Sequence, residues 1–103
     1  MELKITRRPE EDTIALAVSG EVDVSNAAEL RSVLDEILDC AASVVEVDLS
    51  EVPYIDSTGI GVFVGAAHRA KDAEKRIAVV RPQHNVMRVL GLLGLQDELG
   101  VVE

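Results

Sequence analysis

Asp56, Ser57 and Thr58 stand in a row ahead of Gly59 and Gly61, in the segment Val52-Pro-Tyr-Ile-Asp-Ser-Thr-Gly-Ile-Gly61. An acid beside two hydroxyls suits three chemistries: capping a helix, attacking an electrophile, or accepting a phosphoryl group. Pro53 disfavours the α conformation in Val52, so the chain must turn before a helix begins. The three residues then fall in the last loop positions and first helical turn, where backbone N–H groups lack intrahelical partners. Asp, Ser and Thr are the types that helix starts prefer, but one cap suffices and three stand here. A nucleophilic serine should sit in a Gly-x-Ser-x-Gly elbow with a base and an acid later in the chain. Ile55 occupies the first glycine position, and His68 lies eleven residues further along the same helix, about 16 Å by helical rise. That is out of reach, and His84 opens a different helix, so the expectation is that the chain is not an enzyme. As a phosphoacceptor Ser57 fits better. A phosphate adds about −1.5 to −2 charge where a helix N-terminus holds anions, so the fold should survive it. With Asp56 and Asp23 beside it, a docking partner would feel that charge strongly. A hundredfold loss of affinity needs only about 2.8 kcal/mol.

No other chemistry is spelled out. His68, His84 and Cys40 lack zinc-ligand spacing, and no Gly-x-x-x-x-Gly-Lys is present, so no metal and no cofactor are expected. Tyr54 and Phe63 are the only aromatics and the net charge is −9, which leaves no stacking platform for single strands and repels phosphate backbones. Nucleic acid and anionic membranes drop out, leaving proteins or small ligands. The longest apolar stretch, Gly59 to Ala67, is far below the roughly 18 residues of a membrane span, and the first twelve residues lack the apolar run of a signal peptide. A cytoplasmic protein is expected. Cys40 has no intramolecular partner and reads as a packed thiol.

The elements that must position these residues follow from hydrophobic period. Leu3 and Ile5, then Ile14, Leu16 and Val18, alternate on either side of Pro9-Glu10-Glu11-Asp12 and predict a hairpin. Ala27, Leu30, Val33, Leu34, Ile37 and Ala41 recur at three and four, with Ser25 or Asn26 as N-cap and Glu29 three residues after Asn26. Val44, Val45, Val47 and Leu49 make a strand. Ile60, Phe63, Val64, Ala67 and Ala70 stripe a second helix, in which Gly61 and Gly65 each cost about 0.5 to 1 kcal/mol against alanine and so imply a packing or access reason. Ile77 to Val80 is a strand; Val86, Val89, Leu90 and Leu93 stripe a short helix that Gly94 closes; Val101 and Val102 offer a terminal strand. The order β-β-α-β-α-β-α, with helical crossovers between later strands, predicts a small α/β domain: a mixed sheet against a helical layer. Between Glu10 and Asp39 nine acids face one base, Arg31, whereas between His68 and Arg88 six bases face two acids. These are either solvated helix faces or, for the acidic segment, a steering field.

Gly20-Glu-Val-Asp-Val24 leading into Ala28-Glu-Leu30, Val47-Asp-Leu-Ser50, Tyr54 to Gly61, and Val86-Met-Arg-Val-Leu-Gly-Leu-Leu-Gly-Leu95 together resemble the STAS domain of bacterial anti-sigma factor antagonists. The resemblance runs from the first hairpin to the last strand, and it implies one such domain over residues 1–103. It also implies a partner-switching module. The serine after the aspartate, Ser57, would be phosphorylated by a serine kinase that is itself the anti-sigma factor. The unphosphorylated form would bind that kinase and release a sigma factor, and a metal-dependent phosphatase would restore the serine. Thr58 stands where many relatives carry a second serine and is a secondary acceptor. The implied docking surface comprises Glu21, Asp23, Glu29, Asp56, Ser57, Thr58, Gly59 and Gly61. The alternative the resemblance leaves open is a scaffold subunit of a transport or stress-signalling complex without a phosphoswitch.

Overall fold

The computed structural model describes residues 1–102. The alternating N-terminal segment forms a hairpin of β1 (Glu2–Arg8) and β2 (Thr13–Ser19), joined by one 3-10 turn at Pro9–Glu11. Asp12 closes that turn at φ 53°, its N–H donating to Pro9 O at 3.1 Å. Its own carbonyl accepts from Ser43 and Val44 N–H, each at 3.1 Å, which ties the hairpin to the start of the next strand. The chain continues through α1 (Ala27–Leu38), β3 (Val44–Glu51), α2 (Ser57–Asp72), β4 (Arg76–Val80) and α3 (His84–Leu92). The element order is the one the periodicity predicts.

The sheet order is β1-β2-β3-β4, antiparallel between β1 and β2 and parallel thereafter. Its register aligns Ile14 with Val45 and Ile77, and Leu16 with Val47 and Val79, so one face is continuously aliphatic. Onto that face pack Leu30, Leu34 and Ile37 of α1, Ile60, Phe63, Ala67 and Ala70 of α2, and Val86 and Leu90 of α3. Phe63, 1% exposed, is the one aromatic in this core, and truncating it to alanine would cost about 3 to 5 kcal/mol. The opposite face is ionic. Arg8 pairs with Glu46, and Arg81 Nη2 lies 2.7 Å from Asp48 Oδ2 and 4.0 Å from Glu46 Oε1.

Four expectations are corrected in detail. α1 ends at Leu38, which is buried, and Ala41 lies beyond it, exposed. On α2 it is Ala66 that is fully buried, with Val64 half-buried. α3 buries only Val86 and Leu90; Val89 and Leu93 are exposed, because this short helix is held at its start by Gln83 Nε2 to Ser50 O (3.1 Å) and Asn85 Nδ2 to Pro53 O (2.7 Å), and touches the core along one line. Gly94, at φ 69°, does close it: Gly94 N–H reaches Gly91 O and Leu95 N–H reaches Leu90 O, at 3.1 and 3.0 Å. In place of a terminal strand, Val102 makes a single parallel bridge to Val80.

Candidate functional site

The β2–α1 and β3–α2 connections meet at one end of the sheet. Val22 N–H donates to Tyr54 O and Asp56 N–H to Val22 O, both at 3.0 Å, forming an isolated bridge between Val22 and Ile55. Both side chains are buried, so core packing fixes the two loops against each other. Asp56, in extended conformation, is the N-cap of α2: its Oδ1 accepts from Gly59 N–H at 2.9 Å. Its Oδ2 accepts from Val24 N–H at 3.1 Å. One carboxylate thus satisfies an orphan donor of α2 and pins the neighbouring loop. Ser57 and Thr58, both exposed at the first two helical positions, are not drawn into the cap. Their hydroxyls stay available to a reactant, beside N–H groups and a dipole that favour negative charge.

The start of α1 is organised differently from the expected pairing of Asn26 with Glu29. Asp23 Oδ1 accepts from Ser25 N–H at 2.9 Å and from the Ser25 hydroxyl. Asn26 reaches backwards, its Oδ1 accepting from Asp23 N–H at 3.0 Å and its Nδ2 donating to Glu21 O at 2.9 Å. Asn26 is the N-cap residue of α1, but its side chain turns back onto the loop and makes no cap bond to the helix, and Glu29 is left exposed on the first turn. The Ser25 hydroxyl and N–H hold the Asp23 carboxyl below the usual carboxylate range, which keeps it ionised beside Asp56.

Residues 5–103 match the family model described as "Mlab, STAS domain". The chain belongs to the STAS-domain family. Among curated relatives, an anti-sigma-B factor antagonist of Staphylococcus epidermidis is 32% identical over 103 residues, covering all of this chain and 95% of the relative. An anti-sigma factor antagonist of Mycobacterium paratuberculosis superposes with TM-score 0.86 at 20% identity, over 97% of this chain and 83% of that one. The Bacillus cell fate determinant SpoIIAA, solved in its phosphorylated form, superposes with TM-score 0.75 at 16% identity, over 99% of this chain and 92% of that one. At such identities these two structures share the fold.

Within this STAS domain the long-range bridge and cap bring together Asp23, Asp56, Ser57 and Thr58. Glu21 is exposed on the same loop. Gly59 is not a surface residue: a Cβ there would lie 2.7 Å from Val22 Cγ1 and 2.8 Å from Ile55 Cγ1, so it allows close packing beneath the exposed hydroxyls. Gly61 is the opposite case, exposed, with nothing within 4 Å of a Cβ. It lines, with Arg31, Thr58, Val62, Gly65 and Arg69, a cavity of about 350 Å³ between α1 and α2. Arg31, the lone base of the acidic segment, therefore stands near Thr58. Arg69 is held by Asp35 at 2.8 Å.

Sequence reasoning passed over two exposed residues that border Ser57 in the STAS domain. Val24 is 74% exposed and Tyr54 50% exposed, on the two loops that flank Ser57. Tyrosine is among the residue types that anchor interfaces, and an exposed valine beside it adds apolar area. Val24 shares parity with Val22 in the sequence, and only the bridge at Val22 shows that the chain turns before Val24 can enter the core. His68 contacts Glu98 at the other end of α2, and His84 is exposed at the start of α3. Cys40 is half-buried against the core. No group of His, Cys, Asp and Glu among the described residues is arranged to hold a metal ion, and no helix there is long and apolar enough to cross a membrane.

Proposed function

We propose that this STAS domain is a cytoplasmic anti-sigma factor antagonist that works by partner switching. In its unphosphorylated form it binds a serine kinase that doubles as the anti-sigma factor, and a sigma factor is released. The kinase transfers the γ-phosphoryl group of ATP to Ser57 Oγ, the hydroxyl proton leaves to a base on the kinase, and ADP departs. The added dianion ends the complex, and a metal-dependent serine phosphatase hydrolyses the phosphate to reset the switch. The protein acts by binding, and the chemistry belongs to its partners. The observation that carries this reading is the division of labour at α2: Asp56 takes the cap, and Ser57 is left exposed and unengaged at the helix start. The full-length similarity to an anti-sigma-B factor antagonist supports the partner class. Tyr54 would supply an aromatic anchor with Val24 as apolar contact area, and Glu21, Asp23 and Glu29 a negative field that favours a partner with basic groups.

The test uses the kinase anti-sigma factor of the same cell. Incubation with that kinase and ATP should give one dominant phosphosite that disappears in Ser57→Ala. Ser57→Asp should keep the far-UV circular dichroism and hold the melting temperature within a few degrees while binding the kinase much more weakly, because the helix start tolerates charge and the interface does not. Dominant phosphate on Thr58, or a kinase bound equally by Ser57→Asp, overturns the assignment. The latter result would favour a scaffold without a phosphoswitch.

A further inference from the structure

The two edges of the sheet are finished differently. Beyond β4, Val102 N–H donates to Val79 O at 2.8 Å, Arg81 N–H to Val102 O at 3.2 Å, and Val79 N–H to Leu99 O at 3.1 Å. That edge is occupied by the chain's own Leu99–Val102 segment. At the other end, β1 pairs among the described residues with β2 alone, so the backbone donors and acceptors that point away from β2, on alternate residues of the strand, are open. Ile5, at the centre of the strand, is 46% exposed, and Glu2, Lys4, Thr6 and Arg7 are exposed around it.

We propose that β1 is the seam of a two-fold homodimer, in which β1 pairs antiparallel with β1 of a second copy and two four-stranded sheets become one. The sequence of the strand selects the register. Directly opposed residues share a face of the sheet, so the two-fold axis passes through a residue and not between two. An axis at Lys4 sets Lys4 against Lys4, and an axis at Thr6 sets Lys4 against Arg8 twice. Like charges directly opposed are destabilising. An axis at Leu3 pairs Glu2 with Lys4 but engages only the first part of the strand. The axis at Ile5 uses the whole strand: Glu2 opposes Arg8 twice, Lys4 opposes Thr6, the aliphatic Leu3 lies against the stem of Arg7, and Ile5 meets Ile5. Arg8 already holds Glu46 through Nη2 and Glu11 through Nε, and a guanidinium has five N–H donors, so Nη1 remains to take Glu2 of the second copy. The start of the seam lies beside the loop that carries Asp23, since Glu2 pairs with Ser19 and Met1 packs against Gly20, but the pairing itself does not rest on the proposed phosphoswitch.

A single pair of short strands buries little area, so the dissociation constant is expected on the order of 10–100 µM. Sedimentation velocity of the full chain from about 10 µM to about 1 mM should show the mass rising towards a dimer. Ile5→Asp, at an exposed position, should keep the circular dichroism of the wild type and remain monomeric. Glu2→Arg alone and Arg8→Glu alone should each remain monomeric, because positions 2 and 8 then carry like charges, and an equimolar mixture of the two should associate. A wild-type chain that is monomeric over the whole range overturns the proposal. Dimers that survive Ile5→Asp or Glu2→Arg also overturn it. If Arg8→Glu unfolds through its contact with Glu46, those two variants decide the matter.

Discussion

Asp56 does two things with one side chain: it caps α2 through Gly59 and holds the adjoining loop through Val24. Loss of a cap alone costs about 1 kcal/mol, and the second bond adds to it. Asp56→Ala should therefore lower the unfolding free energy by about 1 to 2 kcal/mol in urea titrations. Asp56→Asn keeps an Oδ1 acceptor and should lose less. Ser57→Ala should fall within about 0.5 kcal/mol of wild type, as surface substitutions do. If Ser57→Ala were the more costly change, the serine would be the structural residue and the division of labour drawn above would be wrong.

At the scale of the element, α2 carries two glycines with opposite reasons. Gly61→Ala meets no atom and removes the entropic cost of a helical glycine, so it should stabilise by about 0.5 to 1 kcal/mol. Gly59→Ala drives a methyl into Val22 and Ile55, both held in the core, and should destabilise by about 1 to 3 kcal/mol. Thermal melts of the two variants moving in the same direction would contradict this placement. The ionic face of the sheet gives a pH prediction. At Asp48 burial opposes the charge, but the Arg81 guanidinium and the Ser50 N–H, at 2.7 and 2.9 Å, outweigh it and bring the carboxyl below its ordinary value of 3.8. A depressed carboxylate contributes stability that is present above the unfolded-state value and lost as pH falls through the folded-state one. Arg81→Gln should therefore lower the melting temperature at neutral pH, and the gap from wild type should close below pH 3.8. A gap of constant size down to pH 2 would mean that the pair is not the cause.

At the scale of the molecule, charge is segregated: acids crowd the residues from Glu10 to Asp39, which include the loop beside Ser57. Exposed charges of this kind change association rate and its salt dependence more than dissociation. Replacing Glu21 and Glu29 with glutamine should slow association with the kinase several-fold at low salt. The difference should shrink as ionic strength rises and the screening length falls towards about 8 Å, with dissociation almost unchanged. Stopped-flow mixing at two salt concentrations measures this, and equal rates at low salt would reduce the acidic run to a solvated face.

Local pattern was enough for the elements, because a period of two or of three and four records which side of each segment leaves water. It placed Leu16 and Val47 in the sheet core, Phe63 on the buried stripe of α2, and Asp56 to Thr58 at a helix start. It also carried the family resemblance, since those motifs are contiguous runs. What it could not settle were choices between equal local options. Asn26-x-x-Glu29 reads as a reciprocal cap, but the Asn26 side chain is taken by Asp23 N–H and Glu21 O in the loop that the bridge from Val22 to Ile55, 33 residues apart, holds in place. Asp56, Ser57 and Thr58 are equally good caps by type, and Asp56 is the one whose second oxygen finds Val24 N–H across the loops. Val89 and Leu93 match the stripe of α3 but stay exposed, because only one line of that helix reaches the core. In each case a contact between residues distant in the chain decided the outcome, and such contacts exist only once the sheet has brought its loops together.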